Sequence, residues 1–167
     1  DLYQCPEPYR ILEKSEMCNA LSHLDAIRRI SESDDVYNMI IEDDVILPTD
    51  FFSKIEDMIL KTPPDFDFIF FGNSFSLSIL DNANFSKSIK VNENIYKKEP
   101  GKTRCVDGYI VSREAAKKIT DEFTEFCLPF DLELNYFFKK LNMIVYWNEP
   151  GIIYQGRQIG IYSSSIR

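Results

Sequence analysis

The sequence predicts one α/β domain over residues 1–167, with a mostly parallel sheet flanked by helices. Three observations carry this reading. Two short apolar runs, residues 36–41 and 66–71, are almost uninterrupted, as in strands buried on both faces. Amphipathic helical patterns precede each run, so the order is helix, strand, helix, strand, which implies parallel strands joined by right-handed crossovers. The 167 residues are 44% hydrophobic and 14% aromatic, enough for one core, and no repeat or linker divides them.

Residues 1–14 read as an extended lead-in, because Pro6 and Pro8 oppose a helix. Ser15 is placed to cap a helix starting near Glu16. Leu21, Leu24 and Ile27 recur on one side of it, with Asp25, Arg28 and Arg29 on the other. The polar stretch 31–35 ends that helix before the strand at 36–41. Beyond the strand, Leu47-Pro48-Thr49-Asp50 is a turn with a ready cap. A second helix then presents Phe51, Ile55, Met58 and Ile59 on one face, until Pro63-Pro64 stops it. The strand at 66–71 closes at Gly72.

Residues 73–104 differ in kind, being rich in Asn, Ser and Lys, with short apolar pieces at 77–80 and 89–91. Such a segment is either a functional loop or lid, or a surface insertion. Asn84-Phe85-Ser86 matches a glycosylation sequon and reads as coincidence in a chain without a secretory signal. A third strand is expected at 105–111, with Ser112 capping a helix over 113–126. Leu128-Pro129-Phe130-Asp131 is a break, with Asp131 as the cap of a helix over 132–141. The last strand is expected at 143–147.

Charge and composition exclude some functions. The net charge of −8 and pI near 4.7 argue against nucleic acid as a partner. A phosphate-bearing ligand would need a metal ion or local basic residues to invert the field. The four cysteines, Cys5, Cys18, Cys105 and Cys127, form no Cys-x-x-Cys pair and stand beside a single histidine, which disfavours a zinc site. Reduced, buried thiols are expected. No apolar run is long enough to span a bilayer and no signal segment opens the chain, so a soluble, cytoplasmic protein is the expectation.

The stretch with the most chemistry is Glu42-Asp43-Asp44, three carboxylates at the C-terminal end of the first predicted strand. Ligands bind at such strand ends in open α/β sheets. Adjacent carboxylates repel unless a cation shares them, and a divalent ion with oxygen ligands is the simplest one. A solvated acidic turn is the plainer alternative. A receiver-type phosphorylation domain also carries an acidic pair after its first strand. It needs a phosphoacceptor aspartate at the end of the next buried strand, where this chain has Gly72.

Four segments, in order, resemble glycosyltransferase family 25, the lipopolysaccharide and collagen galactosyltransferase group. They are Cys18-Asn19-Ala20-Leu21-Ser22-His23, then Ile40-Ile41-Glu42-Asp43-Asp44-Val45, then the strand-to-helix stretch from Gly108 to Lys118, then Leu128-Pro129-Phe130-Asp131. Gln155 and Ser165-Ile166 also fit, so the resemblance spans residues 16–166. Met17 stands where the family usually has glycine. The family's upstream strand, which helps hold uridine, has no counterpart in Asp1-Leu2-Tyr3, so weaker nucleotide binding is expected.

The resemblance implies a GT-A type, Rossmann-like sheet and inverting transfer of a hexose from a UDP-hexose donor to a glycan or hydroxylated protein acceptor. It implies a Mn²⁺ or Mg²⁺ ion that stabilises the departing diphosphate as a Lewis acid. Asp44 is the first choice as metal ligand. Glu42, pointing the same way along an extended strand, would bind the metal, its water or the ribose. Asp43 would face the other side, in a supporting part of the donor site. Asp131 is the candidate general base, its pKa expected to be lowered by the helix terminus. Asp107 and Glu133 are the reserves for that role, and Asp107 is also assigned to the donor site. Ser22 and His23 would line the donor site, His23 toward the phosphates; apart from the resemblance, Arg10, Lys102, Arg104 and Arg157 are either further phosphate contacts or simply solvated. The alternative function is a non-catalytic glycan- or partner-binding module built on the same fold.

Overall fold

A computed structural model describes residues 11–72, 88–98, 105–125, 128–157 and 159–162. Its elements are α1 (Lys14–Glu32), β1 (Tyr37–Ile41), β2 (Val45–Ile46), α2 (Phe51–Lys61), β3 (Phe68–Phe70), β4 (Ile89–Lys90), β5 (Ile95–Lys98), β6 (Gly108–Ser112), α3 (Arg113–Glu122), α4 (Phe130–Lys140), β7 (Val145–Asn148) and β8 (Tyr154–Gln155).

The fold is mixed α/β, but the expected mostly parallel sheet is not what forms. The six-stranded sheet runs β1-β6-β3-β7-β5-β4, and only β3 and β7 pair in parallel. The reason lies in how each strand is reached. β1, β3 and β7 each follow a helix, and they share one direction. β6 follows β5 in the chain, with no helix between them among the described residues. It runs the opposite way and wedges between β1 and β3, pairing Ile40 with Tyr109 and Ile69 with Ile110. β5 likewise pairs antiparallel with β7.

A second expectation fails for the same reason. β1 lies at one edge of the described sheet, so its residues are half-buried or exposed rather than buried on both faces.

Alternation along the central strands builds a core on each face. Phe68, Phe70, Tyr109, Val111, Val145 and Trp147 point to the side where α1, α3 and α4 pack. Ile69, Ile110 and Tyr146 point the other way, onto Phe51, Ile55 and Met58 of α2. Ile40 joins the first core and Ile41 the second. The next residue in the alternation, Glu42, therefore faces α1.

Local signals explain the boundaries. Ser112 caps α3 as expected, its Oγ accepting from the Ala115 N–H at 3.1 Å. α1 starts one residue before Ser15, where Glu16 reaches back to accept from the Glu13 N–H at 2.9 Å. α4 begins at Phe130, so Asp131 sits inside its first turn and Pro129 is the cap residue.

Within residues 73–104, β5 is part of the core, with Ile95 and Tyr96 buried. The apolar piece at 89–91 includes β4, with Ile89 and Val91 exposed, while 73–87 and 99–104, including 77–80 and the sequon, lie outside the described residues, as do Cys5, Arg10 and Cys127. Cys18 and Cys105 are not in disulfides. Cys18 is exposed and Cys105 half-buried, against the expectation of buried thiols. No helix of the described residues is long and apolar enough to cross a membrane.

Candidate active site

A cleft of about 690 Å³ opens at the C-terminal end of β1, within the size range of small-molecule sites. Five parts of the chain meet there, one of them Cys105-Val106 ahead of β6. α1 contributes Glu16, Asn19, Ser22 and His23. The end of β1 and the turn beyond it contribute Glu42, Asp43 and Asp44. The start of α4 contributes Phe130 and Asp131, and the C-terminal arm contributes Gln155, Arg157 and Tyr162.

The arm is folded back by a two-stranded ribbon, in which β2 pairs with β8 and Val45 lies opposite Gln155. The Gly156 N–H then donates to the Asp44 carbonyl at 2.7 Å. A side chain at Gly156 would push the Tyr162 ring aside, because a Cβ there would lie 2.1 Å from it. The ring covers the glycine and walls the cleft.

Four neighbours hold Glu42 in the cleft. Its Oε1 accepts from Asn19 Nδ2 at 2.9 Å and lies 3.4 Å from His23 Nε2. Its Oε2 accepts from Gln155 Nε2 at 3.2 Å. Its N–H donates to the Asp107 carbonyl at 3.1 Å. Burial pushes this carboxyl up, but the bonds from His23, Asn19 and Gln155 outweigh it and hold the pKa below the usual carboxylate value.

His23 is buried, with Nδ1 3.0 Å from the Tyr109 hydroxyl and its ring stacked on Phe130 at 4.8 Å between centroids. Ser22 lines the cleft while its hydroxyl donates to the Cys18 carbonyl of its own helix.

Asp44 is placed differently. Its Oδ1 is buried and has no hydrogen-bond partner among the described residues. Burial raises its pKa, and the neighbouring charges of Glu42 and Asp43 raise it further, against a smaller lowering by Arg157. Asp43 also lines the cleft. The expected alternation stops at Ile41, because the chain turns at Asp43-Asp44 rather than continuing as a strand.

Asp131 departs from its expected titration. Its Oδ1 accepts from the Leu132 N–H at 2.9 Å, as a helix start allows. Burial nevertheless pushes its pKa up, with Glu16 and Glu42 adding to the rise. Desolvation and like charge win over the helix terminus, so the carboxylate is a stronger base than its position in α4 suggested.

Two of the sequence candidates do not reach the cleft. Asp107 is fully buried against Gly72, where a Cβ would lie 1.8 Å from its carboxylate. Glu133 is buried on α4 outside the lining. Of the basic residues proposed for phosphate, Arg157 lines the cleft. Sequence reasoning missed Glu16 and Asn19 as site residues, although the series 16, 19, 22 and 23 marks one helical face. It also missed Tyr109 and Tyr162, whose roles depend on β6 and the arm folding back, and no local pattern announces that.

The arrangement offers a proton acceptor, an unsatisfied anionic oxygen and one cationic side chain around a single space. No curated protein matches the chain. Residues 1–134 match the model of Glycosyltransferase family 25 (LPS biosynthesis protein), a span that includes α1, the acidic motif and the start of α4. The chain belongs to glycosyltransferase family 25, and is a glycosyltransferase by membership.

Proposed function

We propose that the protein transfers a hexose from a UDP-sugar to a hydroxyl of a glycan or protein acceptor, with inversion and with a Mn²⁺ or Mg²⁺ ion at Asp44. The observation that supports this best is the meeting of Asp44 and Asp131 in one cleft, each with a carboxyl pushed up by burial and by neighbouring negative charge.

The residues present fit an ion shared with a substrate better than one held by protein alone. Among the described residues no three Asp, Glu, His or Cys side chains converge as a metal-binding group. Mg²⁺-type sites commonly use one or two carboxylates and complete the shell with water and substrate phosphates. Asp44, with its unbonded oxygen, suits that arrangement. Glu42 suits it less, because both of its oxygens already accept protein hydrogen bonds. The ion, when bound, would stabilise charge on the departing diphosphate.

The chain's own groups supply the rest. Arg157, exposed at the cleft's edge, adds positive charge for the diphosphate. Asp131 takes the proton from the acceptor hydroxyl as that oxygen attacks the anomeric carbon. Its raised pKa favours proton uptake. Glu42 accepts a hydrogen bond from a hydroxyl of the donor. Tyr162, Ile40 and Phe130 exclude water from the cleft floor and wall.

The direct test is UDP release from UDP-galactose and UDP-glucose, with and without Mn²⁺. Metal-dependent UDP release by wild type, lost in Asp131→Asn, is the expected result. Saturable binding of the donor with no turnover under any metal would instead support the glycan- or partner-binding module.

A further inference from the structure

We propose that Tyr109 is a positioning residue that acts through His23 on Glu42, fixing one carboxylate oxygen as the acceptor for a hydroxyl of the nucleotide-sugar donor. The proposal deepens the donor reading above and rests on it for its kinetic part.

The geometry is a chain of three side chains from three elements. Tyr109, on β6, is fully buried, with Phe68 and Phe70 at 5.7 and 5.4 Å between ring centroids. Its hydroxyl lies 3.0 Å from His23 Nδ1 on α1. The other ring nitrogen, Nε2, lies 3.4 Å from Glu42 Oε1 at the end of β1.

The proton positions follow from the chemistry of the ends. An ionised carboxylate can only accept, so Nε2 must carry the hydrogen that faces it. In the neutral imidazole Nδ1 is then a bare acceptor, and the Tyr109 hydroxyl is the donor that satisfies it. The phenol therefore selects the tautomer, and the stack on Phe130 selects the ring plane.

The consequence falls on Glu42. Asn19 and His23 occupy its Oε1 and Gln155 occupies one position on Oε2. Among the described residues that leaves one acceptor position, on Oε2. A hydroxyl arriving there meets an oxygen already oriented, so little ordering remains to be done on binding. Without Tyr109 the Nδ1 lone pair loses its donor, and the contact with Glu42 is left to hold the Nε2–H tautomer by itself.

The chain holds one histidine, so its imidazole signals need no assignment. Long-range ¹⁵N–¹H correlation spectra of the ligand-free protein should show the Nε2–H tautomer in wild type. In Tyr109→Phe, which keeps the ring packing, the Nδ1–H form should appear. The KM for the UDP-hexose should rise on the order of tenfold, the worth of about one hydrogen bond, and by more than kcat falls. Unchanged histidine signals together with an unchanged KM would overturn the proposal. If Tyr109→Phe does not fold, the wild-type spectrum decides: with the Tyr109 hydroxyl donating to Nδ1 the histidine must be Nε2–H, and an Nδ1–H tautomer there would overturn the proposal. The spectra need no donor, so an inactive wild type would tell against the transferase reading alone.

Discussion

Replacing Glu42 by alanine removes the acceptor of three side chains at once. His23 Nε2–H is buried, and stranding it costs about 1–3 kcal/mol. Asn19 and Gln155 are half-buried and regain water, so each loses about 0.5–1.5 kcal/mol. Against this, the mutation removes a charge that raises the pKa of both Asp44 and Asp131, which relieves repulsion. The net expectation is a loss of about 2–3 kcal/mol, since neighbouring terms do not simply add. Glu42→Gln is the control. Its oxygen still serves Asn19 and His23, and Gln155 can turn its amide to accept from the new NH₂, so the loss should stay below about 1 kcal/mol.

The pH dependence has a definite sign. The folded pKa of Glu42 lies below 4.5, so its stabilisation is fully present above about 4.5 and is lost as pH falls through the folded value. The gap between wild type and Glu42→Ala should therefore narrow in acid. Urea denaturation followed by the single tryptophan, Trp147, which is 1% exposed, reads this directly. A Glu42→Ala protein within 0.5 kcal/mol of wild type at pH 7, or a gap that widens in acid, would refute the network.

Three further outcomes follow from the same cleft. Asp131→Asn should lower kcat by on the order of 10²–10⁴ and abolish the acidic limb of the rate profile, which in wild type should lie above the ordinary aspartate value of 3.8. Because the folded pKa is raised, the ionised group opposes folding above that range, so Asp131→Asn should be at least as stable as wild type at pH 7 while being far less active. Gly156→Ala should lose about 1 kcal/mol and raise donor KM, since its Cβ meets the Tyr162 ring and lies 3.0 Å from the Asp44 carbonyl; calorimetry and steady-state kinetics check both. Asp44→Ala should not destabilise the ligand-free protein, as it removes a carboxyl that burial and like charge already disfavour; a fall in Tm would contradict that placement.

The helices were legible in the sequence because their signals are local. Proline pairs, the Ser112 cap and the apolar spacing of α1 and α2 act within a few residues. Strand direction was not legible. It is set by pairings between segments far apart in the chain, and β5 comes from a stretch whose composition reads as loop. The same stretch hid Ile95 and Tyr96, two buried residues in a run too short to stand out. At the site, the acidic triplet, His23 and Asp131 were readable as chemistry-bearing types. Their titration was not, because the burial of Asp131 and the bonding of Glu42 depend on α1, α4 and β8 meeting. The alternation rule misplaced Asp43 for a simpler reason: it holds only while the chain stays extended, and β1 ends at Ile41.

On the proposed reading the Asp44 cleft binds a nucleoside diphosphate together with a divalent cation. Thermal denaturation of wild type and Asp44→Ala, each with UDP, Mn²⁺, or both, tests it most directly. At about one hundred times the dissociation constant, UDP with Mn²⁺ should stabilise wild type by about 2.7 kcal/mol, more than the sum of the two alone. GDP and CMP should stabilise less, and Asp44→Ala should lose the joint effect while keeping its own unliganded Tm. Equal stabilisation of wild type and Asp44→Ala by UDP with Mn²⁺ would rule out Asp44 as the residue that holds the ion.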